Sequence, residues 1–346
     1  MSIEYEVRNG HLLWIKNPIT GVVSYVVDLS AKSFAFTLSG RDSGQASAEA
    51  RSAVPAERIR QVTAECPFCP GNEHLSPHEM LRVRPGQVED SDRHGRQDGA
   101  QWIIRAFNNL FPRIPDELTG DRNESYVVVE DPRHFVDQAQ SLDDLMFSGA
   151  LGEEHFFRLL EADTEVMRRS LANPAVHSVA IRKNQGRESG ASQPHSHQQI
   201  IGSPTVLPVL EAELRAQRRD HALWRELISL VEQLGLMLDD ADGVISYASP
   251  IGVFPRSYDV IMPEFHGLIT ELSHKQLRSF ARALYQILRI LGPLPLDYEI
   301  HQSRELPLHA HVNARLFPYS NVAGTLNLPS TLLDKTAAVR RQLKRR

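Results

Sequence analysis

Asn184-Gln185-Gly186-Arg187-Glu188-Ser189-Gly190-Ala191-Ser192-Gln193-Pro194-His195-Ser196-His197-Gln198-Gln199 is a glycine-punctuated loop that runs into a strand. Gly186 and Gly190, with the small residues Ala191 and Ser192, form a compact turn whose backbone N–H groups can approach an anion closely. On the strand that follows, His195, His197 and Gln199 alternate at period two and share one face. An isolated His-x-His is ordinarily a pair of half-buried strand histidines. With the loop before it and the glutamine after it, His197 becomes a candidate nucleophile toward phosphorus, and Gln199 a donor to the charge that develops on the phosphoryl oxygens.

His195, earlier on the same face, is free for another task. Both cysteines of the chain lie in Cys66-Pro67-Phe68-Cys69, too close together for a framework disulfide. Taken alone, that spacing divides between metal and redox roles; nothing around it reads as a thioredoxin-like unit. Two thiolates at this spacing reach one tetrahedral zinc, and the missing ligands can come from strand ends, with His134 and His195 as candidates.

Working outward, the segment from Ser125 to His134 reads as a strand ending in Asp131-Pro132-Arg133-His134, and the segment from Ser257 to His266 repeats its pattern. Each copy follows a Phe-Pro-Arg, at Phe111-Pro112-Arg113 and Phe254-Pro255-Arg256. Helical periodicity follows, over roughly 141–172 and 273–291, and each half closes on a His-x-His, the second being His309-Ala310-His311. The order predicts a duplicated chain, with halves 1–205 and 206–346. A linking amphipathic helix is expected from Val206 to about Gly235, and loops over 39–60 and 89–99. His301, His309 and His311, with a carboxylate such as Glu213, could hold a second zinc or an iron; the alternative is a polar strand face.

The 346 residues are 41% hydrophobic and 23% charged with a formal net charge of -5, which gives no electrostatic case for nucleic-acid or membrane partners. The one strong charge run, Arg340 to Arg346, reads as a solvated helix end. The first residues carry no signal-peptide pattern and no window is apolar enough to span a bilayer, so a cytoplasmic location is expected.

These motifs resemble the galactose-1-phosphate uridylyltransferase family of the histidine-triad superfamily, including its ADP-glucose phosphorylase branch. Asn17-Pro18-Ile19-Thr20-Gly21 is similar to the family's opening motif, Asn109-Leu110-Phe111-Pro112 to its segment near the nucleotide, and the run from Asn184 to Gln199 to its signature without a gap. The resemblance implies an α+β fold of tandem histidine-triad-like units sharing an antiparallel half-barrel sheet with flanking helices, assembled as a homodimer. It implies His197 as nucleophile, Gln199 orienting the nucleotidyl group, and Asn109, Asn184, Gly190 and Ser192 around the nucleotide and its α-phosphate. It also implies structural zinc on Cys66, Cys69, His134 and His195, with Glu213, His301, His309 and His311 as ligands of the other metal site.

The expected chemistry moves a nucleoside monophosphate between a nucleotide sugar and a phosphorylated small-molecule acceptor through a nucleotidyl-histidine. A uridylyltransferase-like reaction is the first expectation; a phosphorylase or hydrolase of nucleotide sugars is the alternative, and a retired nucleotide-binding protein a third. Two departures bear on the acceptor. Ser30 and Ser33, with only Lys32 nearby, stand where the family has arginines, and Asn321-Val322-Ala323-Gly324-Thr325 lacks the hexose-reading glutamate.

Overall fold

The computed structural model describes residues 3–8, 12–21, 23–27, 56–85, 87–90, 101–252, 254, 256–315 and 339–343. In chain order these form β1 (Tyr5–Arg8), β2 (Leu12–Lys16), β3 (Val23–Val27), α1 (Ala56–Glu65), β4 (Glu79–Arg84), β5 (Gln87–Asp90), β6 (Ile104–Asn108), β7 (Ser125–Val129) and α2 (Glu153–Leu171). They continue with β8 (Ser178–Gln185), β9 (His197–Ser203), α3 (Pro208–Arg219), α4 (Leu223–Gln233), β10 (Met237–Ala241), β11 (Val244–Ala248), β12 (Ser257–Gly267), α5 (His274–Leu291) and β13 (Leu296–Ala314).

Strands β1 to β3 form a small antiparallel sheet, and the other strands form one ten-stranded sheet in the order β10-β11-β12-β13-β8-β9-β7-β6-β4-β5. Every ladder of the large sheet is antiparallel. The 19 residues of β13 would span about 60 Å if straight. Instead Arg315 N donates to Pro295 O at 2.7 Å, so the strand turns back on itself near Arg304 and Glu305. Its first arm pairs with β8 and its second with β12.

One face of the large sheet is covered by α2 and α5, which pack on each other. Leu277, Phe280, Leu284, Ile287 and Leu288 of α5 are all buried at the helical spacing read from the sequence, and Ser273 accepts from Gln276 N to cap that helix. The opposite face carries α3 against β13, and there the chemistry gathers.

Several expectations change. The first-half helix begins at Glu153, not near 141. Asp144 Oδ2 accepts from Gln140 N and Ser141 N, and Met146 N donates to His134 O, so the preceding residues fold back as a turn that pins His134. The linker is two helices rather than one, because Asp220 Oδ1 accepts from Ala222 N and turns the chain between α3 and α4. The expected loop over 39–60 ends in the first turn of α1, and Glu89 and Asp90 belong to β5. The basic tail is not merely solvated, since Val339 is buried and Arg340 Nε donates to Met237 O. Residues 39–55, 91–99 and 344–346 lie outside the described residues, as do Ser30, Lys32, Ser33 and 321–325. Among the described residues, no helix is long and apolar enough to cross a membrane.

Candidate active site and metal centres

The segment after α1 loops through Cys66 and Cys69, with Gly71 at a left-handed φ of 89° closing the turn. Asn72 Nδ2 donates to Cys66 O at 2.8 Å and to Thr63 O at 2.9 Å. From the sheet, the fully buried Arg105 of β6 donates to Pro67 O at 2.6 Å and to Ser76 Oγ at 3.1 Å, and its guanidinium lies over the rings of Trp102 and Phe107. The knuckle is therefore fixed to the sheet by a charge-assisted hydrogen bond.

Cys66, Cys69, His134 and His195 come together there, all buried, with one ligand atom from each within 4.8 Å of every other. Cys66 Sγ and Cys69 Sγ lie 3.6 and 3.5 Å from His195 Nδ1, and Cys69 Sγ lies 3.4 Å from His134 Nδ1. A sulfur and a nitrogen bound tetrahedrally to one zinc stand about 3.6 Å apart. The donor set and its spacing fit that ion. Hydrogen bonds from Cys69 and the two histidines push the Cys66 thiol down toward the thiolate, against its burial. The far nitrogen of His195 meets Asp131 O at 2.7 Å, which orients the ring.

Two residues on, His197 Nδ1 donates to His195 O at 2.8 Å. That bond sets the tautomer and leaves Nε2 with its lone pair on the cleft side, where it takes no hydrogen bond from the described residues. Burial, helped by Lys183, lowers the His197 pKa to about 4, so the ring is neutral at physiological pH. Phe68 packs edge-on against it with ring centroids 5.4 Å apart. The cleft in front of His197 is lined by Phe68, Phe107, Asn109, Ser192 and Gln199 among others. Leu110 and Phe111 stand exposed at its mouth.

Asn184 and Gly190 are not among the residues lining that cleft. Asn184 Nδ2 donates to Ser189 O, and Gly190 has a left-handed φ of 88°, so both shape the loop that carries Ser192.

Behind β9 lies a polar layer that short sequence motifs do not announce. Lys183 Nζ sits 2.9 Å from Glu130 Oε1 and donates to Ser196 Oγ at 2.8 Å, while Ser196 and Ser148 both donate to Glu130 Oε2. Beside it, Tyr298 OH donates to Gln198 Oε1 and Gln198 Nε2 donates to Asp163 Oδ2 at 3.0 Å. The sequence signal for it is the even-numbered set of the strand, Ser196 and Gln198, facing away from His197 toward α2.

The second cluster lies on the same sheet face. His301, His309 and His311 surround Glu213 of α3, again with ligand atoms within 4.8 Å of one another. His301 Nδ1 is 2.8 Å from Glu213, and His309 Nε2 and His311 Nε2 are 3.5 and 3.4 Å from it. His309 Nε2 is buried with no hydrogen-bond partner among the described residues, as a metal ligand would be. His311 Nδ1 is held at 2.6 Å by Asp259 Oδ1, a carboxylate on the paired strand β12 that no short motif marks. Burial alone raises the Glu213 carboxyl, but the charges of His301 and His309 outweigh it and hold it well below the usual range.

A family described as a domain of unknown function (DUF4921) matches residues 119–261. An ADP-glucose phosphorylase from Arabidopsis thaliana is 24% identical over 261 residues, which is 69% of this chain and 68% of that protein. The crystal structure of an ADP-glucose phosphorylase from Arabidopsis thaliana with bound ADP-glucose superposes with a TM-score of 0.66 at 19% identity, covering 95% of this chain and 98% of that one. A uridylyltransferase mutant superposes with a TM-score of 0.62 at 21% identity, covering 81% and 91%.

Proposed function

We propose that this chain, a member of the histidine-triad superfamily in its galactose-1-phosphate uridylyltransferase-like branch, moves a nucleoside monophosphate from a nucleotide sugar to a phosphate-bearing acceptor. The observation that carries this reading is the free Nε2 of a neutral His197, its tautomer set by His195 O, facing a cleft lined by Gln199, Ser192 and Asn109. Nε2 attacks the α-phosphorus and the bond to the bridging oxygen breaks, releasing the sugar phosphate with that oxygen's electron pair. A phosphate oxygen of the acceptor then attacks the same phosphorus, and the nucleotide leaves His197, which is returned neutral. Gln199 lies on the nucleophile's face and is positioned to donate to the phosphoryl oxygens as charge builds. Ser192 and Asn109 complete the nucleotide side of the cleft, and Asn184 and Gly190 act by holding the loop.

Within this reading, the curated relative supports the phosphorylase form, with an adenine nucleotide sugar as donor and inorganic phosphate as acceptor, over uridylyl transfer. Zinc on Cys66, Cys69, His134 and His195 supplies structure, tying the α1 loop to the strand that bears His197. Glu213, His301, His309 and His311 would hold a second zinc or an iron. We also read the chain as tandem units, 1–205 and 206–346, in a homodimer. The strand order supports the tandem reading, since the two arms of β13 followed by β12 and β11 mirror β8, β9, β7 and β6 across the β8–β13 ladder.

Intact-mass measurement after incubation with ADP-glucose, UDP-glucose, UDP-galactose and GDP-mannose tests the mechanism. The expected result is a gain of one nucleoside monophosphate, lost again on adding inorganic phosphate or a sugar phosphate. Turnover without any adduct, in wild type and in His197→Gly alike, would overturn it.

A further inference from the structure

A reaction in which phosphate both leaves and enters is favoured by positive charge beside the nucleophile, yet among the described residues no lysine or arginine lines the cleft in front of His197. Lys183 is spoken for on the other side of the sheet by Glu130 and Ser196. A residue at the rim can supply it.

The strand registers locate it. Val127 pairs with Gln199, Gln199 with Arg182, and Arg182 with Glu299, a row across β7, β9, β8 and β13. Paired residues on one face of such a sheet have Cβ atoms about 5 Å apart. Arg182 is thus the immediate neighbour of Gln199, on the strand next to the nucleophile. Its Nη2 donates to Asn184 Oδ1 at 3.1 Å, which draws the guanidinium along β8 toward the row containing His197. Among the described residues its Nε is buried without a hydrogen-bond partner, and the carboxylate oxygen that faces it, Glu299 Oε1, is 3.8 Å away, beyond hydrogen-bond range. Glu299 is itself divided, with Oε2 3.5 Å from His301 Nε2 of the second cluster. A half-buried guanidinium whose counter-charge is this loose is a fork that a better acceptor can draw away from Glu299.

We propose that Arg182 binds the phosphate group on the far side of the bond that His197 makes and breaks: that of the departing sugar phosphate, then that of the incoming acceptor, with Glu299 as the competing anion. This rests on the nucleotidyl-transfer reading for its role in turnover, but not for the binding of phosphate itself. The ligand is a phosphate dianion, either inorganic or a sugar monoester, and the two are distinguished by testing both. Arg182 is read here as a specificity residue for the acceptor; it transfers no proton and forms no bond.

The test is calorimetric titration of full-length wild-type protein, Arg182→Gln and Glu299→Gln with inorganic phosphate and, separately, with glucose 1-phosphate. Arg182→Gln is expected to weaken binding by about tenfold or more, and Glu299→Gln to strengthen it by removing the competitor. Stronger loss for one ligand than for the other names the source of the phosphate. A kinetic arm follows decay of the isolated nucleotidyl adduct: Arg182→Gln should need about tenfold more phosphate for half-maximal decay. Arg182→Lys, which keeps charge but not the fork, provides the same comparison where Arg182→Gln is poorly folded, and is expected to fall in between. Phosphate affinity equal to wild type in a folded Arg182→Gln would overturn the proposal. Absence of any adduct in wild type, alongside Arg182-dependent phosphate binding, would overturn the covalent mechanism and leave the phosphate site standing.

Discussion

His197 keeps its Nδ1 2.8 Å from the carbonyl oxygen of His195, so the residue that reaches the metal centre also fixes the proton on the residue that reaches the cleft. Replacing His197 by Gly or Asn removes the lone pair and should abolish the nucleotidyl adduct, lowering turnover by about 10³-fold or more. Intact mass and steady-state rates read both effects.

The depressed pKa of His197 gives a pH signature. In the proposed mechanism the neutral ring is the reactive form, so kcat/KM should hold through pH 6 and fall only as pH drops toward about 4, the value set by burial and by Lys183. The same shift acts on stability. The unfolded imidazole takes up its proton near its ordinary pKa of about 6.5, before the folded one does. The contribution of His197 is therefore complete above that pH and is lost as pH falls toward about 4. A pH–rate profile with its acid limb near 6.5 would contradict this.

Asp163 behaves in the opposite sense. Fully buried, with Oδ1 lacking a hydrogen-bond partner among the described residues, it has its pKa raised well above the ordinary value, by burial first. Its folded form holds the proton to higher pH than the unfolded chain does, so its contribution is present below the unfolded pKa of about 3.9 and is lost as pH rises through the raised folded value. Asp163→Asn keeps an acceptor for Gln198 and cannot ionise. It should remove that slope and raise stability at neutral pH, measured as urea midpoints at pH 4 and pH 7.

The buried pair of Lys183 and Glu130, 2.9 Å apart, should show strong coupling. Lys183→Met or Glu130→Gln alone leaves one charge uncompensated, at a cost of about 3–5 kcal/mol; the double variant should recover much of that. Additive losses in denaturant unfolding would mean that the two groups do not act as a pair.

Cys69→Ser should release bound zinc and lower Tm by more than about 5 °C, and a chelator should do the same to the wild type. Metal analysis beside thermal unfolding checks it. Arg105→Met should reproduce part of the effect, because the fully buried guanidinium holds the knuckle at Pro67 O.

The sequence made legible what depends on short spacings. The Cys-x-x-Cys put Cys66 and Cys69 on one turn, and period two put His195 and His197 on one face; those residues do meet, at a metal-sized cluster and at a cleft. The second cluster was readable from three histidines, and Glu213 lies among them although it comes from a helix. Arg182, Glu299, Asp259 and Glu130 were not readable, because each acquires its role from a partner on another strand. Registers such as Arg182 with Gln199 are set by the whole sheet and leave no trace in a local window. The break between α3 and α4 was lost for a related reason: Asp220 can continue a helix or cap the next, and periodicity does not distinguish the two.

The ladder from Leu296–Gln185 to Ile300–Ile181 is the seam between the two ends of the large sheet. Severing the polypeptide near residue 205 would leave β8 with one raw edge and β13 with another. Such unpaired edges invite self-association. Neither fragment is then expected to be well behaved when produced by itself, whereas the two made together should zip along that line and recover a single cooperative melt. The separation that looks natural in the repeat pattern is thus the worst place to cut.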